Sequence, residues 1–431
     1  MRALAVVLIV ALALAGCSHR PRANPFDPGN PDTGGRPAGF FALAGEAHVT
    51  LRWNASGSPS LVGWRIERAV GDTGVYRPLI DLLPSGITTY SDFGLADGVV
   101  HRYRLSYVFA SGPGAATSED FATPGPLIPW VGDALGGVFA LTADGRHVAQ
   151  RVTLGGGVAG VGLDRDNGVV WACNFDFGEV DIVAPGSGVV TRVPAQEPVA
   201  VAVQPGVHDA WVADDVAGAV YHLSEDGSPA VPPALSPLEA PFDVALSPDG
   251  RLWVCEHNGN RVRLFASDGT PIAAAATSAP SRVAVDSVTH EAWVSSFDAN
   301  HVVHLAADAT PLDTLANIDG PIGVTVDPRR RKLWVAEAAG GAVRLYDLDG
   351  TLLQRVTGLF GPRTIAVDLS TGNAWVSERE GGAVTVVSPA GTRLLHTVGI
   401  GAPDGIVLDD VRTRAGPAAR ATLTSGSRVA R

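Results

Sequence analysis

Apolar and polar positions alternate with period two in short runs along most of the chain, and turn-forming residues separate the runs. Val49, Leu51 and Trp53 fall on one face of a predicted strand, Trp64 and Ile66 on one face of the next, and Tyr103, Leu105 and Tyr107 repeat the pattern. Such alternation marks half-buried strands. From about residue 127 the runs change: Leu333, Trp334, Val335 and Ala336 are all apolar, so both faces of the strand are expected to be covered.

Self-similarity is the strongest feature. A strand start, usually proline, recurs at Gly157, Pro198, Pro241, Pro280, Pro321, Pro362 and Pro403, at intervals of 41, 43, 39, 41, 41 and 41 residues. A tryptophan follows 12 to 14 residues later: Trp171, Trp211, Trp253, Trp293, Trp334 and Trp375. Third and fourth strands are expected after it, with Asp226-Gly227, Asp268-Gly269 and Asp349-Gly350 supplying hairpin turns. Four strands in about 40–45 residues predict a β-propeller blade. The segment from Trp130 to Val152 supplies the later strands of a blade, and Pro403 to Leu408 supplies a first strand. Joined, they close a ring of seven blades, or six should one unit be irregular, and remove the exposed edges. The tryptophans are read as wedges between blades.

These residues carry three resemblances. Pro321-x-Gly323-Val324-x-Val326-Asp327, then Leu333-Trp334-Val335-Ala336-Glu337, resembles NHL-type repeats and is similar to streptogramin lyase-like propellers, over about 127–410. Trp53, Trp64, Tyr90-Ser91-Asp92 and Tyr103-Arg104-Leu105 resemble fibronectin type III domains, over 37–124. That likeness puts His101 where the family has its corner tyrosine, with an imidazole still able to donate one hydrogen bond. The fold class expected is all-β: a sandwich, then a propeller.

The third resemblance is at the N-terminus. Met1-Arg2, an apolar run from Ala3 to Ala13, and Leu14-Ala15-Gly16-Cys17 make a signal segment too short to span a bilayer. The ending resembles the lipobox of bacterial lipoproteins, which implies removal of 1–16 and acylation of Cys17, each buried CH₂ contributing ~0.8 kcal/mol to anchoring. Ser18, in place of an aspartate, favours the outer over the inner membrane by the same likeness. Residues 17–36, rich in proline and glycine, read as a semi-extended tether. Residues 411–431, with five arginines and no apolar period, read as a disordered basic tail.

Composition narrows the function. A net charge of −12 excludes a nucleic-acid surface. Three residues after each blade's tryptophan stands a polar residue: Asp133, Asn174, Asp214, Glu256, Ser296, Glu337 and Glu378. On a closed ring these share one face. They are either a cation or cationic-ligand site, taking Ca²⁺ or Mg²⁺, or carboxylates bound to the backbone of their own turns. His257 adds an imidazole beside Glu256. His301 and His304, three apart on a strand, cannot chelate together. Cys173 and Cys255 occupy a small-residue position two blades apart, too far for a disulfide, and are expected to be buried free thiols. The reading favoured is a monomeric, lipid-anchored envelope protein that displays a propeller for a protein or carbohydrate ligand on its loops. The alternative is a metal-assisted lyase or hydrolase at the acidic face. The streptogramin lyase likeness implies His, Glu and Mg²⁺ for such chemistry, without a residue-by-residue match here.

Overall fold

The computed structural model describes residues 24–410, apart from 31, 73, 185–187, 189 and 231–233. Cys17 and the basic tail lie outside the described residues. Two compact units are present, with the boundary between Gly125 and Pro126.

The first unit is a two-sheet sandwich. Strands β1 (Phe41–Gly45), β2 (His48–Arg52) and β5 (Thr89–Phe93) form one sheet. Strands β3 (Leu61–Val70), β4 (Arg77–Pro84), β6 (His101–Phe109) and β7 (Gly112–Ala122) form the other, in the order β4-β3-β6-β7. The period-two residues fill the space between the sheets: Val49, Leu51, Trp64, Ile66, Tyr103 and Leu105 are all buried. Trp53 meets Trp64 edge-on at 5.8 Å. A polar contact lies inside this core, where Asp92 accepts from the Tyr103 hydroxyl (2.9 Å) and from Arg68 Nη1 (2.8 Å).

Two features of this unit differ from the sequence expectation. His101 is buried, and neither ring nitrogen has a hydrogen-bond partner, so the imidazole does not substitute for a corner hydroxyl. Burial, reinforced by Arg68, holds its pKa below the ordinary value. Residues 24–36 are not an extended spacer. Asn30 Oδ1 accepts from the Asp32 and Thr33 N–H groups, and Thr33 Oγ1 donates to the Pro25 carbonyl. Phe26 packs edge-on against Tyr107 (4.7 Å) and Phe109 (5.2 Å). Asn, Asp and Pro make turns as readily as they make spacers, and an aromatic socket decides between them.

The second unit is the propeller, with seven sheets among the described residues. Its innermost strands are Pro403–Asp410 in blade I, Val158–Leu163 in II, Pro198–Val203 in III, Pro241–Leu246 in IV, Arg282–Val285 in V, Pro321–Asp327 in VI and Pro362–Val367 in VII. Each contacts the next, and Pro403–Asp410 contacts both Pro362–Val367 and Val158–Leu163, so the ring closes. Blade I is the composite expected: Ile406 pairs with Val131, Val407 with Trp130 and Leu408 with Pro129.

Among the described residues, seven apolar clusters join neighbouring blades, and each contains one tryptophan. Trp211 packs with Val244 and Val254 of the next blade, Trp334 with Ile365 and Val376, and Trp375 with Val131, Phe139 and Ile406. Removing one such indole would cost about 3–5 kcal/mol. Blade III departs from the repeat. Among the described residues it has three strands, and its outer edge is covered by isolated bridges from Leu235 to Val220 and from Pro229 to Leu223. Proline at 229 and at 237 removes the donors a regular fourth strand needs.

The end of the ring with the loops between first and second strands is latched. The residue three before the tryptophan is left-handed at Gly168, His208, Gly250, His290, Arg331 and Gly372. Where it carries a side chain, that side chain reaches the preceding blade: His208 to Asp164 (Nδ1 to Oδ2 2.6 Å), His290 to Asp249 (3.1 Å), and Arg331 to Asp286.

Candidate functional site

The polar ring positions end the second strands and face the starts of the first strands, with Asp133 opposite Pro403, Asp214 opposite Pro198, Glu256 opposite Pro241, Glu337 opposite Pro321 and Glu378 opposite Pro362. They share a height, but they do not converge. All are buried, and each bonds within its own blade or its closing loop. Asp133 Oδ1 accepts from the Leu135 and Ala402 N–H groups, and Asp214 accepts from Gln196, Glu197 and Ala217. Asn174 donates to Asp181 (3.0 Å) and accepts from the Phe177 N–H. Glu256 takes the Glu239 N–H and Arg261, Glu337 the Asp319 N–H with Arg344 and Arg355, and Glu378 the Phe360 N–H and Thr385. Ser296 donates to the Ser278 carbonyl. Of the two arrangements the spacing allows, these contacts are those of carboxylates bound within their own turns. His257 stands apart from Glu256's partners, with its ring against Phe242 (5.5 Å) and Nδ1 3.3 Å from the Pro280 carbonyl.

The axis holds a different constellation. The first strands bulge after their opening residue, so that residues such as 159–160, 322–323, 363–364 and 404–405 leave the ladder. The later residue of each bulge, as at Gly160, Gly323, Thr364 and Gly405, lines a cavity of about 170 Å³ to which all seven blades contribute. In blades II, III, VI and I the lining is small: Ala159, Gly160, Ala200, Gly323 and Gly405. A Cβ on Gly323 would come within 2.4 Å of the Arg363 carbonyl, and one on Gly405 within 2.7 Å of the Ala159 carbonyl, so the inner strands pack backbone to backbone there.

Blades IV and V instead supply Asp243 and Arg282. Arg282 Nη1 lies 3.2 Å from Asp243 Oδ1, and Asp243 Oδ2 accepts the Val283 N–H at 2.8 Å. Burial opposes the charge of Arg282, but the carboxylates of Asp243 and Asp404 hold its pKa above the ordinary value. One position earlier in the bulge, blades VII and I supply Arg363 and Asp404. Arg379, in the following loop of blade VII, reaches Asp404 Oδ2 at 2.9 Å. Burial raises the pKa of Asp215 in blade III, against the opposing field of His257.

The repeat alignment does carry a signal for these residues. Each of the two positions after the strand start is small or apolar in five of the seven blades, and Asp243, Arg282, Arg363 and Asp404 fill the others. A search for recurring residues passes over them, because they are departures from the repeat. Around the same end, Leu135, Phe177, Val216, Phe297 and Phe360 stand exposed on loops. The mouth is thus charged at its centre and apolar at its rim.

Cys173 and Cys255 are buried and unpaired, and burial pushes both thiols up. His304 stacks on Trp293 at 3.8 Å beside Glu291, and His222 repeats the arrangement on Trp211 at 3.9 Å. Among the described residues, one group brings three metal-type ligand atoms within 4.8 Å: Asp164, Asp166 and His208. It lies at the latched end. His208 is already hydrogen-bonded to Asp164, and Arg331 bonds Asp286 from the equivalent place in blade VI.

Solved structures give the fold its relatives. Virginiamycin B lyase from Staphylococcus aureus matches with a TM-score of 0.51 at 17% identity, over 57% of this chain and 87% of that one. A protein from Lactobacillus plantarum matches at 0.57 and 13%, over 66% and 99%. A functionally unknown protein from Desulfotomaculum acetoxidans matches at 0.55 and 17%, over 65% and 98%. The chain is a β-propeller by likeness as well as by construction. At these identities the propeller shares their fold, and one fold hosts many activities. No family model matches the chain, and no curated protein matches it in sequence.

Proposed function

We propose that the chain is a lipid-anchored protein of the cell envelope, held at the outer rather than the inner membrane, whose propeller binds a ligand at the axial mouth. The observation that carries the reading is the inequality of the blades there. A purely structural ring would repeat its lining, whereas this one keeps small residues in some blades and places buried opposite charges in others. Charges cost free energy to bury unless they are paired, so their concentration at the one place where all blades meet points to recognition. The ligand would set a polar group in the channel and an apolar part against Phe177, Phe297 and Phe360. A lyase or hydrolase at the acidic face would need the ring carboxylates free, and they are engaged in their turns.

The Cys17→Ser chain is expected to leave the membrane fraction, and that soluble material serves the binding test. Equilibrium dialysis against an extract of small molecules, read by mass spectrometry, should show compounds retained by Cys17→Ser protein and lost when Arg282→Gln is added. Arg330→Gln, at the latched end, should retain them. Equal retention by all three proteins would remove the axial site, and Cys17→Ser protein still in the membrane would remove the lipid.

A further inference from the structure

The charges around the channel do not balance locally. Three guanidiniums, Arg282, Arg363 and Arg379, face two carboxylates, Asp243 and Asp404. Arg282 is engaged by Asp243 and by the Phe242 carbonyl (3.4 Å). Asp404 alone remains for the other two, with Oδ2 at 2.9 Å from Arg379 Nη1 and Oδ1 at 3.5 Å from Arg363 Nε. That second separation is an ion-pair distance without a hydrogen bond: Arg363 Nε is buried and has no hydrogen-bond partner. Asp215, in a loop at the same end, acts electrostatically with His257 and Asp214 instead.

A buried N–H donor held only at ion-pair distance forfeits its water and recovers part of that loss. Burial depresses the Arg363 pKa, and Arg379 and Arg282 add repulsion that Asp404 only partly offsets. What the site lacks is an acceptor bearing negative charge. Guanidinium presents N–H groups in a planar fork that matches the paired oxygens of a carboxylate or phosphate.

We infer that the mouth of the channel takes an oxyanion, a carboxylate or phosphate group of the ligand, on Arg363 and Arg379. The inference rests on the axial reading above and gives its ligand a chemical class. Thr364 and Gly405, the chain neighbours of Arg363 and Asp404, line the axial cavity, so the anion would bind at its edge. A divalent cation is disfavoured, because both carboxylates already face guanidiniums.

The test is the thermal unfolding of the full Cys17→Ser chain with sodium acetate or inorganic phosphate, against sodium chloride at matched ionic strength. One or both anions should raise Tm saturably, by roughly 3 °C near saturation. Arg363→Gln and Arg379→Gln should each abolish the rise, while Arg52→Gln, on an exposed strand position of the sandwich, should keep it. A response to acetate alone assigns a carboxylate, and to phosphate alone a phosphate. No saturable rise with either anion, or an equal rise in the Arg363→Gln and Arg379→Gln chains, overturns the inference. Should that happen while Arg282→Gln still abolishes ligand retention in dialysis, the axial site stands and the anion assignment alone falls.

Discussion

A chain that stops at Ala402 is expected to lose the cooperative unfolding transition of the propeller and to elute as aggregate in size-exclusion chromatography. The truncation removes the innermost strand of blade I, and with it Ile406 and Leu408, both buried in the cluster of Trp375, Val131 and Phe139. Losing a buried Ile or Leu side chain costs about 2–5 kcal/mol each. Two of them approach the whole stability of an ordinary domain, about 5–15 kcal/mol. The damage goes further than the core. Arg363 and Arg379 lose Asp404, and the strand Leu127–Asp133 is left with an open edge ready to pair with another chain. A truncated chain that stayed monomeric and melted at the temperature of the intact one would show that the last strand is dispensable.

Glu337→Ala should destabilise the propeller by about 3–5 kcal/mol, as much as the loss of a blade tryptophan. The carboxylate is 1% exposed and accepts from the Asp319 N–H (3.0 Å), Arg344 Nη2 (2.5 Å) and Arg355 Nε (2.8 Å). Alanine takes the acceptor from the Asp319 N–H and the carboxylate from Arg344, which keeps the Asn317 carbonyl and the Tyr346 hydroxyl, and unpairing a half-buried guanidinium costs more than the pair itself contributes. Glu337→Gln keeps the shape and one acceptor oxygen, so it should fall between the two. The pH dependence has a definite sign. Burial alone would raise the Glu337 pKa, but the bonds from Arg344, Arg355 and Asp319 outweigh it and hold the carboxyl below its ordinary 4.5. The contribution is therefore complete above the ordinary value and is lost as pH falls through the folded one. Urea unfolding at pH values stepped downward from neutral should show the stability gap between the native chain and the Glu337→Ala variant narrowing only on the acid side. A gap that is absent at neutral pH would mean that the two arginines find other acceptors.

What the sequence makes legible is whatever the repeat repeats. Spacing located the seven tryptophans, and the partial units at Trp130 and Pro403 required a composite blade, because periodicity and burial on both faces follow from one physical demand. The turn carboxylates were equally visible by position. Their partners were not, since an acid three residues after a tryptophan looks the same whether it turns into its loop or toward the axis. Glu337 shows why: its hydrogen bonds come from Asp319, eighteen residues back, and from two arginines on the outer strands. The axial charges escaped for the opposite reason. Asp243, Arg282, Arg363 and Asp404 are exceptions at two positions that are otherwise small or apolar, and recurrence hides exceptions. Phe26 escaped because its socket, Tyr107 and Phe109, lies some eighty residues along the chain. The irregular outer edge of blade III, three strands among the described residues, goes with its 43-residue interval and with Pro229 and Pro237.

A shared axis exists only if the last strand seals the first sheet, so everything proposed for the channel depends on a closed ring. The most direct test is a disulfide between Val131→Cys and Ile406→Cys in the Cys17→Ser chain. These residues are register partners, and antiparallel partners lie about 4.5–5.5 Å apart at Cα, within reach of a disulfide. Oxidation of the native protein should cross-link them fully and, by closing a loop of about 275 residues, stabilise the propeller by roughly 5 kcal/mol on the chain-entropy model. A control pair, Val131→Cys with Leu353→Cys on an outer strand of blade VI, should stay reduced. If the 131–406 pair also stays reduced in native protein, the ring is open and there is no axial site.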